Sequence, residues 1–486
     1  MRMPPVLRLI AVLVSASLLS VLTRAESSPG ILIFTNVNVV DTRSGHLVRD
    51  LTVVVKHGRI AGVAKVGLIE GSRYLQVINA SGKYLIPGLW DMHVHTAGGP
   101  AAAWDQNIIY PLYIVNGVTG VRDMGGDPVL LEQRRRRIEH GELLGPHVVL
   151  AGPFLDGGRG DRQIIAVNTP AEGRAAVHKL KKLGADFVKV LSSVPRDTYM
   201  AIADESARLK MRFVGHVPES VSVAEASAVG QRSIEHLSGI LLACSSQEDQ
   251  LRRRRLAAIA SDDSAAFSDL KRQTLATYNS EKARTLFREL TDNNTYQVPT
   301  LVWWHASADA DVRELASDSR LKYVPTWARA EWERDTFQQQ TVPAELADRK
   351  ELSNRYIELV RSMHRAGVPF MAGSDGPDAY VFPGFSLHEE LELLVKAGFT
   401  NAEALSAATF YPALFMAKLD QYGVIENGRV ADLVLLDANP LEDIRNTRKI
   451  SAVVLGGKYY APWQLDKILA QVEQVARKPE ALARGQ

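Results

Sequence analysis

The chain has 486 residues, of which 46% are hydrophobic and 23% charged, a composition that excludes a disordered or fibrous protein. That length exceeds one ordinary core, so a large domain with a smaller companion is expected. The formal charge is +2, and about −1 remains once Arg2, Arg8 and Arg24 of residues 1–25 are set aside, which argues against a nucleic-acid or anionic-membrane partner.

Residues 1–25 read as a secretory signal peptide. Arg2 and Arg8 precede an apolar run from Leu9 to Leu22, and Thr23-Arg24-Ala25 offers small residues for cleavage after Ala25. The run is short for a membrane span, and no Cys stands beside the cleavage point to carry a lipid. The mature chain is therefore expected to be secreted or periplasmic, with no stable membrane anchor; an uncleaved anchor is the rival reading.

Residues 26–86 alternate in the manner of short strands. Ile31–Phe34, Asn36–Val40, Leu51–Val55 and Arg59–Val63 are separated by turn signals such as His57-Gly58 and Ser81-Gly82. The pattern returns over residues 422–461, in Ala431–Leu436 and Ser451–Leu455 with Gly456-Gly457 as a hairpin turn. The two ends are expected to form one small β-sandwich domain. Residues 462–486 follow as a C-terminal helix and tail.

Between them, over residues 87–421, strand-like runs alternate with helical segments. The runs are Leu89–His95, Val118–Met124, Val148–Phe154, Phe187–Leu191, Phe213–His216, Ser233–His236, Val298–Trp304 and Val368–Ala372. Eight such runs predict an α/β fold of the (β/α)₈ TIM-barrel type. The eighth holds Pro369, which lacks a ladder donor. Long helical insertions are expected near residues 240–296 and 305–366. The arginine runs at 134–137 and 252–255 read as solvated helix faces. Cys244 is the single Cys; it cannot form an internal disulfide and reads as a small buried apolar residue.

The chemistry gathers at the ends of these runs. His93 and His95 close the first; residues two apart in a strand face the same side, so both can reach one metal ion. Lys189 closes the fourth run, His216 the fifth and His236 the sixth, and Asp375 follows the eighth. One histidine in an apolar strand is more often a core residue than a ligand. Six metal-type groups at the strand ends of a barrel, where such folds place their active sites, point to a metal centre. An ammonium cannot ligate a cation, but a desolvated neutral lysine can add CO₂, and the resulting carbamate can bridge two metals. Zinc suits the His-rich set, with manganese, cobalt and iron compatible.

This set of segments resembles the amidohydrolase superfamily, in the imidazolonepropionase-like branch that includes bacterial prolidases and ochratoxin-type amidases. The carriers are Ile86–His95, Gly117–Asp123, Phe187–Val190, Gly215-His216, Ile234–His236, Gly373–Asp375, Ser386–Leu391 and Gly428–Val434. The resemblance runs from about Ile31 to Tyr460. It implies that His93 and His95 bind one metal with Asp375, that carboxylated Lys189 bridges, and that His216 and His236 hold the second metal. It further implies amide hydrolysis by a metal-bridging hydroxide, with Asp375 as ligand and general acid–base.

The substrate is less legible. Arg159 and Arg162, in the Gly-rich loop after the third run, could hold a substrate carboxylate. Relatives often carry His in that stretch, which weakens any direct transfer of specificity. Trp303 and Trp304 could wall an apolar pocket, and His305 and His388 could overhang the barrel mouth. The expected substrate is a small molecule, a dipeptide or N-acyl amino acid. A cyclic amide or lactone is the alternative, and a non-catalytic binding protein would have lost at least one ligand. The sequence leaves a homo-oligomer open.

Overall fold

The computed structural model describes residues 30–65, 75–99, 103–309, 317–340 and 343–478. The leader expected over residues 1–25 lies outside them. In chain order the strands are β1 (Ile31–Asp41), β2 (His46–Lys56), β3 (Arg59–Ala64), β4 (Leu75–Asn79), β5 (Tyr84–Pro87), β6 (Leu89–Val94), β7 (Val118–Asp123), β8 (His147–Leu150), β9 (Phe154–Asp156), β10 (Ile164–Ala166), β11 (Phe187–Val190), β12 (Arg212–Gly215), β13 (Ser233–Glu235), β14 (Tyr296–Val298), β15 (Leu433–Leu436), β16 (Ile450–Leu455) and β17 (Lys458–Tyr460).

Strands from both ends of the chain join one sheet, in the order β17-β16-β15-β5-β1-β2-β3, with β4 paired to β1. The joint is β5: its Leu85 lies opposite Leu435 of β15 in antiparallel register and beside Val39 of β1 in parallel register. Period-two alternation puts Phe34, Val37, Val53, Leu85, Leu433 and Val454 into one apolar cluster.

The middle of the chain is a parallel α/β assembly. One sheet runs β6-β7-β8 and another β10-β9-β11-β12-β13-β14, and every pairing in both is parallel. Parallel strands need crossovers, and the helices supply them. The helix Pro170–Lys182 is typical. Thr169 and Glu172 form a capping box at its start, and Gly184 takes a left-handed φ of 80° just past its end. Because helices cover the strands, β6, β7 and β11 are buried along their whole length.

Residues 369–376 link β14 back to β6. Gln297 donates its backbone N–H to Pro369 and accepts from Met371, while Met92 donates to Ala372. Single bridges join Gln297 to Phe370 and Val94 to Gly376. The eighth run is thus paired on both sides without forming a ladder of its own. Inside, Trp90, Met92, Phe187, Val214, Val298 and Met371 share one apolar cluster.

Several expectations need correction. The seventh strand ends at Val298, and Leu301–Asp309 is helix. Pro299 cannot donate, and Thr300 turns the chain at a φ of 47°. The third run is split into β8 and β9 at Gly152, whose φ is 75°, and Pro153. Arg134 is not solvated: it is 5% exposed and donates to the carbonyls of Thr96 and Trp104. Arg252 likewise donates to the carbonyls of Glu219 and Val221. Cys244 is buried as expected, and both long insertions are helical. Among the described residues no helix is long and apolar enough to cross a membrane.

Candidate metal centre

The ends of β6 and the segment after residue 372 are knitted together by their backbones. Asp375 donates to the carbonyl of His93 at 2.7 Å, and His95 donates to that of Gly376 at 3.0 Å. This brings the Asp375 carboxylate to 3.3 Å from His93 Nε2 and 3.4 Å from His95 Nε2. These three groups offer ligand atoms within 4.8 Å of one another. His236 joins them, its ring 4.4 Å from that of His93, and His216 lies 5.2 Å from His236. Lys189, on β11 opposite Val214, is 1% exposed. Its amine makes no hydrogen bond or ion pair among the described residues.

Each ring is oriented by its Nδ1. That atom of His95 faces the carbonyl of Gly125 at 3.0 Å, and that of His93 faces the Glu235 carboxylate at 2.9 Å. A carbonyl and a carboxylate only accept, so both Nδ1 atoms carry hydrogen and each Nε2 presents a lone pair. His216 and His236 are held through Nδ1 by the hydroxyls of Ser192 and Thr300. The Nε2 of His93 is buried without a hydrogen-bond partner. A buried nitrogen lone pair with no donor, facing a carboxylate and a second such nitrogen, is the donor set a divalent cation requires.

Electrostatics favour the neutral form of three of the four histidines; His95 is raised instead, because the Asp375 carboxylate more than offsets its burial. Burial holds His93 and His216 well below the ordinary imidazole range and pushes His236 down to about 4, so all three are neutral near pH 7. Burial also pushes the Lys189 amine down to about 8, although Glu235 and Asp375 oppose the fall. Burial acts to raise the Asp375 carboxyl, but His236 and His95 more than offset it and the group stays anionic. Asp375 and His236 take left-handed φ values of 63° and 56°. Such strain costs about 1–3 kcal/mol per residue and persists only where its surroundings enforce it, here through backbone bonds from Asp375 to His93 and from His236 to Val298.

Sequence reasoning missed the layer behind the ligands. Arg122 and Glu235 are both buried; Arg122 Nη2 donates to each Glu235 oxygen at 2.9 Å, and Ser233 Oγ donates to Glu235 at 2.5 Å. Glu235 in turn holds His93. Such carboxylate–histidine contacts fix the tautomer of a metal ligand. Asp91 accepts from the N–H and hydroxyl of Ser374 at 2.9 and 2.6 Å, which braces the residue before Asp375. Asp123 does the same for Thr96, the residue after His95. Their signal was present: Asp91, Arg122, Asp123 and Glu235 are charges inside apolar strands.

The other candidates are dispersed. Trp303 lies on the helix Leu301–Asp309, its ring 6.2 Å from that of His236. Trp304 packs against Tyr356 at 4.5 Å. Arg159 is exposed, and the 85%-exposed side chain of Arg162 pairs with Asp127 at 2.9 Å. Their loop is pinned rather than loose: Asn168 bonds both polar groups of the Gly158 backbone, and Asp161 accepts from Gln163 and Ile164. His388 is engaged elsewhere, with Nδ1 on Thr447 and Nε2 on the carbonyl of Asn116.

Ligand-type side chains thus gather at the C-terminal ends of parallel strands in an α/β fold. The chain belongs to the amidohydrolase family, whose model matches residues 84–459, and it is a hydrolase acting on carbon–nitrogen bonds. Ochratoxinase of Aspergillus niger is 22% identical over 497 residues, spanning 87% of this chain and 86% of that protein. Among solved structures, bottromycin amidohydrolase superposes with a TM-score of 0.73 at 22% identity, covering 94% of this chain and 92% of its own. A Xaa-Pro dipeptidase with bound methionine gives 0.65 at 20% identity, covering 89% and 100%.

Proposed function

We propose that this protein is a binuclear metal-dependent amidohydrolase that cleaves the amide bond of a dipeptide or N-acyl amino acid. The observation that carries this reading is the convergence of His93, His95, His236, His216, Lys189 and Asp375, with each histidine tied through Nδ1 and the buried His93 Nε2 unpartnered. His93, His95 and Asp375 would hold one ion and His216 and His236 the second. Lys189, buried and without a hydrogen bond or ion pair among the described residues, would carry CO₂ as a carbamate between them. Zinc matches these donors best. Two divalent ions there would supply Lewis acidity and a water acidified toward neutral pH.

The residues of the chain do the rest. Asp375 takes the proton from the attacking water and delivers it to the leaving nitrogen. Burial acts to raise its carboxyl, but the neighbouring His236 and His95 more than offset this, so Asp375 is anionic and ready to accept before it takes that proton. Burial of Lys189 and His93 excludes bulk water from the floor of the site. Relatives described as dipeptidases and amidohydrolases support an amide substrate.

In this reading the parallel strands belong to a (β/α)₈ barrel over residues 87–421, and residues 26–86 and 422–461 form a small β-sandwich domain built from both chain ends. Residues 1–25 direct export, so mature protein starting at Glu26 is expected outside the cytoplasm; intact Met1 in cells would contradict this. The functional test is metal analysis of purified protein, followed by turnover of a panel of dipeptides and N-acyl amino acids. Two ions per chain and hydrolysis of a panel member are expected. A metal-free active enzyme, or a metal-loaded one that cleaves only lactones, refutes the proposal.

A further inference from the structure

An acidic side chain outside the ligand set stands at the edge of the metal centre. Asp378 lies three residues beyond Asp375, in a turn closed by a bridge to Val381. Its Oδ2 accepts the indole N–H of Trp303 at 2.6 Å, and its Oδ1 accepts the N–H of Ala379 at 2.7 Å. The residue is solvent-exposed, yet among the described residues no ion pair neutralises it.

The surroundings give this carboxylate a direction. The rings of His95, His93 and His236 follow one another at 5.4 and 4.4 Å. Phe154 packs on His95 at one end of this row, at 5.6 Å, and Trp303 lies by His236 at the other, at 6.2 Å. Phe154 opens β9, which leads into the loop of Arg159 and Arg162. Trp303 holds Asp378. The row therefore has an aromatic ring at one end and, at the other, a carboxylate fixed by Trp303.

We propose that Asp378, positioned by Trp303, receives the protonated α-amine of the substrate, so that unblocked peptides are preferred over N-acylated ones. This rests on the amide-hydrolase reading above and narrows its substrate class. A carboxylate oxygen has about two lone pairs, and Trp303 and Ala379 use one on each atom. An ammonium supplies both the missing donors and the missing charge. An acyl cap replaces the ammonium with a neutral amide and leaves the carboxylate without a counter-charge.

The test compares L-alanyl-L-phenylalanine with N-acetyl-L-alanyl-L-phenylalanine on the metal-loaded enzyme, wild type and Asp378→Asn. The free peptide is expected to have a kcat/KM at least about tenfold higher in the wild type. In Asp378→Asn that ratio is expected to fall to within about twofold, chiefly through KM. Trp303→Phe, which keeps a ring but loses the donor, is expected to reduce the ratio less. Equal turnover of both peptides by the wild type, or an unchanged ratio in Asp378→Asn, overturns the inference while leaving the hydrolase reading intact. If neither peptide is cleaved, the dipeptide reading itself fails. Calorimetric titration of both peptides into the metal-loaded enzyme then decides: selective binding of the free peptide that is lost in Asp378→Asn supports an ammonium site, and its absence overturns it.

Discussion

Glu235→Gln isolates the contribution of the layer behind the ligands. The substitution keeps the shape of the side chain and one acceptor oxygen. It removes the charge facing Arg122, which is 1% exposed and has Glu235 as its ion-pair partner, with Asp91 acting on it from further away. Two charge-assisted bonds of 2.9 Å are weakened together, and a buried guanidinium loses its ion-pair partner. Breaking a buried pair from one side costs about 3–5 kcal/mol, because the surviving charge keeps its desolvation cost. The bond to His93 Nδ1 also becomes neutral, so that His93 is a weaker base; lost partners of this kind lower metal affinity by about 10–100-fold. The assay is urea unfolding of metal-free protein, together with chelator competition on the loaded form. Arg122→Met alone should be comparably destabilised, and the double variant should lose less than the two singles combined, with a coupling of about 1–3 kcal/mol. Additive losses, or unchanged metal affinity in Glu235→Gln, would refute the idea that this pair holds His93 in its ligand form.

Lys189→Ala should lose most metal and activity, and a short carboxylic acid supplied in solution should restore part of both; full activity without rescue would remove the carbamate. Asp375→Asn should lower kcat by about 10²–10⁴-fold if only proton transfer is lost, with metal content measured alongside. Glu390 makes stability pH-dependent. Burial pushes its carboxyl from 4.5 up to about 8, while Oε2 accepts the N–H of Val302 at 2.8 Å. The folded state therefore holds a proton that the unfolded chain has released. This contribution is fully present below pH 4.5 and is lost as pH rises through about 8. Glu390→Gln should thus gain stability relative to the wild type between about pH 5 and pH 8 in denaturant titrations, and a constant difference would contradict the mechanism.

Much of the site was legible because strand ends are where apolar runs stop. A polar residue closing such a run has few structural reasons to be there, which is why His93, His216 and His236 stood out. Lys189 stood out through chemistry, since its amine lies inside a run that ought to be apolar. Asp91, Arg122 and Glu235 were equally anomalous, but their roles are mutual, and a linear chain does not show that residues 122 and 235 touch. The helix at Leu301–Asp309 was hidden for the same reason. Its first turn is held by Glu390, 88 positions away, and local apolar character alone reads as strand. Arg134 read as solvent-facing because its run is basic, yet its guanidinium serves two buried carbonyls contributed by other segments.

The sheet shared by both chain ends sets a timetable for folding. The parallel strands meet near neighbours in the sequence, so they can pair as the chain emerges. β5 cannot: its partner β15 arrives about 350 residues later. Until then Leu85 and Ile86 sit on an open strand edge, the kind of surface that recruits wrong partners. The last strands therefore act as a clasp that shuts only when synthesis is nearly complete. A chain cut short before Leu433 keeps every metal-type residue of the site and still exposes the edge of β5, so its failing would be aggregation rather than lost chemistry.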